Sequence, residues 1–164
     1  MNFFNYLKNN FRFSSFYVPI FILIIDQITK YFIYVSLFIE IKVIQLLPFL
    51  NLIPVWNSGI SFGMFDESGD LGRIIFTILS LSFGFIIPIY TSNWSFLERI
   101  GSGLISGGAF GNAIDRIIHG RVVDFIDFHW NEIHFPTFNF ADTFISLGVA
   151  IIFFVSLKKN NLFG

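Results

Sequence analysis

Apolar residues gather along this chain in four long blocks, about 16–35, 71–90, 100–118 and 140–157, each close to the ~20 residues that a helix needs to cross hydrocarbon. Between the first and second blocks lies a longer stretch, 36–70, whose run KVIQLLPFLNLIPVWNSGISFGMF alternates strand-like apolar groups with Pro48, Pro54, Gly59 and Gly63. That pattern predicts a small sheet or extended cradle. The stretch 119–139, GRVVDFIDFHWNEIHFPTFN, mixes acidic and aromatic residues and predicts a segment lying at the membrane interface. The expected architecture is an α-helical membrane protein: one integral-membrane domain over 1–164, with four spans, a small β-cradle and an interfacial segment on the outer side. The first block resembles a signal peptide, but it is too long for one, lacks a small-residue cleavage site and carries Asp26 and Lys30.

Composition agrees. Of 164 residues 54% are hydrophobic and 13% charged, against roughly 25% charged in soluble domains. A net charge of -1 with so much apolar surface argues against nucleic-acid binding and against disorder, and the absence of cysteine removes thiol chemistry and disulfides. Lys8, Arg12, Arg99, Lys158 and Lys159 crowd the terminal arms and the 91–99 loop. That density predicts cytoplasmic termini and puts 36–70 and 119–139 outside.

Charged and amide groups inside such blocks are the candidate chemistry, because each charge costs roughly 2.5–3.5 kcal/mol to insert. Asp26 and Lys30 in DQITK stand one helical turn apart and can pair. Asn57 and Gly59 occur in NSGISFG, which a tight turn would also explain. In GSGLISGGAFGNAIDR, Gly103, Gly107 and Gly111 form a smooth stripe for close helix approach, within one chain or between chains, while Gly108, Asn112 and Asp115 share the adjoining face and Arg116 follows. VVDFIDF carries Asp124 and Asp127, and FNFAD carries Asn139 and Asp142, a competent helix cap in its own right. The topology brings Asp26, Lys30, Asp115, Asp124 and Asp142 to one membrane depth. The three histidines, at 119, 129 and 134, lack helical ligand spacing, so no metal site is expected.

Paired carboxylates that share a proton can hydrolyse a peptide without a metal or a nucleophilic side chain: the ionised member takes a proton from attacking water, and the protonated one supports the oxyanion. The residues alone do not choose between Asp115 and Asp124 for that pair. A proton-coupled transporter or channel is the competing reading, since intramembrane charges also mark ion pathways.

In their order along the chain, DQITK, NSGISFG, GGAFGNAIDR, VVDFIDF and FNFAD resemble the bacterial lipoprotein signal peptidases (signal peptidase II), aspartic membrane proteases, over about residues 20–145. Ser61, where many members have Ala, is a small departure. The resemblance implies an endopeptidase of the bacterial inner membrane, working at the outer leaflet. A monomer without cofactor is expected, although the glycine stripe fits packing between chains as well as within one. It would remove signal peptides from prolipoproteins on the N-terminal side of a diacylglyceryl-modified cysteine. It implies Asp124 and Asp142 as the catalytic pair, with Asp26, Lys30, Asn57, Gly59, Asn112, Asp115, Arg116 and Asn139 shaping the site or holding substrate.

Overall fold

A computed structural model gives the fold and describes residues 14–58 and 70–159. Helix α1, Ser14–Ile33, continues through a π-helical turn, Tyr34–Phe38. Strands β1, Ile44–Leu47, and β2, Leu50–Asn57, follow. Then come α2, Asp70–Tyr90; α3, Phe96–His119; β3, Val122–Trp130; β4, Ile133–His134; and α4, Phe140–Lys159. The helix ends lie within a few residues of the expected spans. Gly59 and Ser61 fall outside the described residues.

Three of the long helices are apolar enough to cross a membrane by length and composition: Phe16–Phe38, Leu71–Tyr90 and Phe140–Lys159. The fourth expected span, α3, is equally long, but its sequence is loaded with Gly, Ser and Asn. The reason is position, because α3 packs against α1, α2 and α4 and buries Gly101, Ser102, Gly103, Ser106, Gly107, Gly108, Gly111 and Asn112. A helix sheathed by other helices needs small residues more than greasy ones.

The glycines show how tight that sheath is. A Cβ on Gly103 would lie 2.6 Å from the Cβ of Val18, and one on Gly107 2.7 Å from the carbonyl of Pro19. On Gly111 it would collide with the Asp26 carboxylate. A Cβ on Gly108 would lie 2.5 Å from the Ala141 carbonyl oxygen, and Gly101 and Gly148 pack backbone to backbone. The stripe therefore packs against α1 of the same chain, while Gly101 and Gly108 pack against α4.

Both ends of α3 are fixed. Ser95 and Glu98 form a capping box, with the Ser95 N–H and hydroxyl donating to Glu98 Oε2 at 2.9 and 2.6 Å. Lys159 donates to the same oxygen at 2.6 Å and ties down the end of α4. At the far end Gly120, at φ 73°, donates its N–H to the Arg116 carbonyl and lets the chain reverse into β3.

The stretch 119–139, expected as an interfacial segment separate from the cradle, is instead part of one four-stranded antiparallel sheet in the order β1-β2-β3-β4. β2 pairs β3 in the register Asn51↔Asp127, Val55↔Asp124 and Asn57↔Val122, with a bulge between Leu52 and Val55. Its two acids disguised β3, because they break the apolar alternation that marks a strand. Tyr34, Phe38, Trp56 and His119 stack where α1, β2 and α3 meet, with Phe38 4.9 Å from Trp56, and so fasten the sheet to the helix ends.

Candidate active site

At the end of the bundle beneath the sheet, helices α1, α3 and α4 bury a polar core. It begins with Lys30 on α1, 3% exposed, whose Nζ lies 2.9 Å from Asp26 Oδ2 and 3.0 Å from Asp115 Oδ2. Two carboxylates hold one ammonium, and a third bond runs from Nζ to Asn112 Oδ1 at 2.9 Å. Isolated, any of these charges would be costly at such burial; together they are served from every side.

Asp26 and Asp115 then reach outward to the backbone. Asp26 Oδ1 accepts from the N–H of Ala141 at 3.0 Å, in the first turn of α4, where a carboxylate complements the helix dipole. Asp115 Oδ2 accepts from the Val123 N–H at 3.0 Å, just before Asp124. Asp115 Oδ1 accepts from Gln27 Nε2 at 3.1 Å. Sequence reasoning passed over Gln27, although it stands between the residues of the DQITK motif; only the fold reveals that it bridges α1 and α3.

The second tier holds Asp124 and Asp142. β3 carries Asp124, 1% exposed, whose Oδ2 accepts from Asn57 Nδ2 at 2.7 Å and whose Oδ1 accepts from Asn139 Nδ2 at 2.6 Å. Asp142, half-buried in the first turn of α4, accepts from Asn112 Nδ2 at 2.8 Å on Oδ1 and from the Asn139 N–H at 3.2 Å on Oδ2. Asn139 is the helix cap that the sequence predicts, with its Oδ1 accepting from the Asp142 N–H at 3.0 Å. It is more than a cap, because its side-chain amide also donates to Asp124 and, at 3.2 Å, to Asn112 Oδ1. Arg116 donates from Nη1 to the Asn112 carbonyl at 3.2 Å, its guanidinium lies over the Phe76 ring, and its buried Nε has no hydrogen-bond partner among the described residues.

Burial, with the nearby charge of Asp142 adding to it, pushes the Asp124 carboxyl up to about 6 against the donations from Asn57 and Asn139. Asp127, three residues on, goes the other way. Burial raises it, but bonds to His134 at 2.7 Å and Asn51 at 3.1 Å outweigh that and hold it below the ordinary carboxylate range. It forms a separate cluster near the β3–β4 turn and has no hydrogen bond to the Asp124 group among the described residues.

Of the candidate residues, Asp26, Lys30, Asn57, Asn112, Asp115, Arg116, Asp124, Asn139 and Asp142 thus meet at one end of the molecule. The carboxylates gather there and do not step across the bundle, which disfavours the transport reading. Spanning helices around a buried site, one of whose carboxyls is raised to about 6, define a membrane protein built for acid–base chemistry. The profile of one protein family, signal peptidase (SPase) II, matches residues 18–158. The lipoprotein signal peptidase of Thermodesulfovibrio yellowstonii is 44% identical over 142 residues, covering 84% of this chain and 90% of the relative. That of Mesorhizobium japonicum is 39% identical over 133 residues, covering 81% and 79%. Two solved structures described as bacterial membrane enzymes superpose with TM-scores of 0.75 and 0.72 at 30% and 32% identity. They cover 92% and 88% of this chain, and 92% and 93% of their own lengths. This chain belongs to the signal peptidase II family and is a peptidase.

Proposed function

We propose that Asp124 and Asp142 are the catalytic pair of an enzyme that removes signal peptides from prolipoproteins, cutting on the N-terminal side of the diacylglyceryl-modified cysteine. One observation carries the assignment: Asp124 and Asp142 are bridged by one residue, Asn139, while the remaining acids, Asp26 and Asp115, are consumed by Lys30 and by backbone N–H groups. Asp115 is spent on structure. That supports Asp124 over Asp115 for the pair.

The roles divide by environment. Asp124, buried and raised to about 6, is assigned the shared proton of the reactive form; Asp142, half-buried, faces the incoming water. Asp142 takes a proton from water as the oxygen adds to the scissile carbonyl, and Asp124 donates to the developing oxyanion. When the C–N bond breaks, the departing amine takes the proton held by Asp142, and the Asp124 proton returns as the carbonyl re-forms. Arg116, whose charge acts on Asp142 and Asp124, offsets negative charge at this centre. Asn57, Asn112 and Asn139 fix the two carboxylates in register.

One chain supplies every residue of this scheme, so a monomer suffices. Cytoplasmic termini, with the sheet on the outer side of a bacterial inner membrane, agree with the density of basic residues and put the site where a lipid-anchored precursor presents its cleavage bond. The reading is tested by incubating purified protein with a diacylglyceryl-modified precursor and with the same precursor unmodified, and weighing the products. Cleavage immediately before the modified cysteine, with the unmodified precursor cut far more slowly, is expected. Equal rates at matched membrane concentration would mean that lipid is not read.

A further inference from the structure

Beside β3 lies a cavity of about 590 Å³, walled by α1, the sheet and the start of α4. Four of its lining residues are the immediate sequence neighbours of site residues: Thr29 beside Lys30, Phe125 beside Asp124, Phe140 beside Asn139 and Thr143 beside Asp142. Successive side chains of a strand point to opposite faces, so Phe125 turns away from Asp124, while Ile126 and Phe128, on Asp124's face of β3, also line the cavity. The cavity adjoins the site along β3.

Its chemistry is one-sided. Apart from two threonines the lining is entirely apolar, and both hydroxyls are already used: Thr29 donates to the Ile25 and Asp26 carbonyls at 2.9 and 2.8 Å, and Thr143 donates to Asn139 O at 3.0 Å. The wall backbone is used too, since Phe138 O accepts from the Phe125 and Ile126 N–H groups. A buried water needs two to four polar partners and takes about 30 Å³, so a space that could hold on the order of twenty waters offers them little to bond to. Four lining residues are exposed, Phe32 and Phe140 on α1 and α4 at 63% and 36%, and Leu46 and Phe128 on the sheet at 52% and 40%. The cavity is therefore continuous with the surface that these two helices turn to the hydrocarbon of the bilayer.

We infer that this cavity binds one acyl chain of a bilayer phospholipid, held between α1, α4 and the sheet. An apolar space opening on hydrocarbon is filled by hydrocarbon, because every methylene that enters it leaves less apolar wall uncovered. This binding stands apart from the assignment of the catalytic pair and survives if that assignment fails.

The test uses the full chain in phosphatidylcholine vesicles doped with a phosphatidylcholine that carries a photoactivatable diazirine in mid-chain. After irradiation, labelled positions are mapped by mass spectrometry. Label concentrated on Leu50, Leu52 and Phe125, above that on the lipid-facing Phe83 and Phe85 of α2, is expected. Ile33→Trp and Leu50→Trp each fill the cavity, so in whichever of them folds, label on Leu52 and Phe125 should fall to the level of Phe83 while label on α2 is unchanged. Uniform labelling of all exposed apolar positions, or label on Phe125 that persists in a folded, filled variant, would overturn the inference. So would labelling of the cavity by a diazirine-bearing diacylglyceryl precursor alone, because the space would then belong to the substrate.

Discussion

Asn139 donates its side-chain amide to Asp124 at 2.6 Å while its own backbone N–H donates to Asp142 at 3.2 Å, so that one residue holds both carboxylates and starts the helix that carries one of them. Asn139→Ala removes the cap and both side-chain donations. The cap alone is worth about 1 kcal/mol, and the loss of a buried donor to a carboxylate adds about 1–3 kcal/mol. Thermal melting of the purified variant should show that destabilisation. Cleavage should fall by about tenfold or more, as expected when the geometry of a catalytic pair loosens.

The Lys30 cluster predicts a different phenotype. Lys30→Met leaves Asp26 and Asp115 facing each other without a counter-charge, and breaking a buried pair costs about 3–5 kcal/mol. Folded yield should drop sharply. Replacing both acids as well, in Lys30→Met with Asp26→Asn and Asp115→Asn, should recover part of it, because no unpaired charge remains. A triple variant no better folded than Lys30→Met would show that these residues do more than neutralise each other.

Gly107→Ala and Gly111→Ala test the packing directly. The added methyl would press on Pro19 and Ile22 in the first case and on Asp26 in the second. Overpacking of this kind costs about 1–3 kcal/mol. Gly111→Ala should in addition lower activity, since it displaces the acid that holds the first turn of α4; the measurement is turnover by the folded fraction of each variant.

Protonation of Asp124 makes stability and activity depend on pH in a defined direction. A carboxyl raised in the folded state to about 6 favours folding fully below its unfolded value and loses that contribution as pH rises through about 6. A rise of about two units corresponds to about 3 kcal/mol. Melting temperature should therefore decline between about pH 4 and pH 7 by more in the wild type than in Asp124→Asn, which cannot titrate there. The alkaline limb of kcat/KM should fall with an apparent pKa of about 6 that belongs to the pair.

What the sequence made legible was governed by cost. Charges within apolar blocks are expensive enough to stand out, so Asp26, Lys30, Asn112, Asp115 and Asp142 could be singled out before any fold was known, and the four helices follow from block length. β3 did not stand out as a strand, because Asp124 and Asp127 interrupt its apolar alternation, and the acids that obscured it are the very ones whose neutralisation depends on partners distant in the chain: Asn57 and Asn139 for one, Asn51 and His134 for the other. The residue pattern does not choose between Asp124 and Asp115, and the preference for Asp124 there comes from the family resemblance alone. The contacts that argue for the same preference, from Lys30, Gln27 and the Val123 N–H to Asp115, need the fold. Gln27 was invisible for the same reason.

The most direct test of the central assignment is turnover of a lipidated precursor by purified Asp124→Asn, Asp142→Asn, Asp127→Asn and Asp115→Asn proteins, each checked for folding by thermal melting. Asn keeps the shape of the side chain and removes the acid–base function. The account predicts no measurable cleavage by folded Asp124→Asn and Asp142→Asn, most of the activity in Asp127→Asn, whose bonds run to Asn51 and His134, and a loss in Asp115→Asn that follows its loss of folded protein. Near-normal turnover by Asp124→Asn beside an inactive but fully folded Asp115→Asn would contradict it.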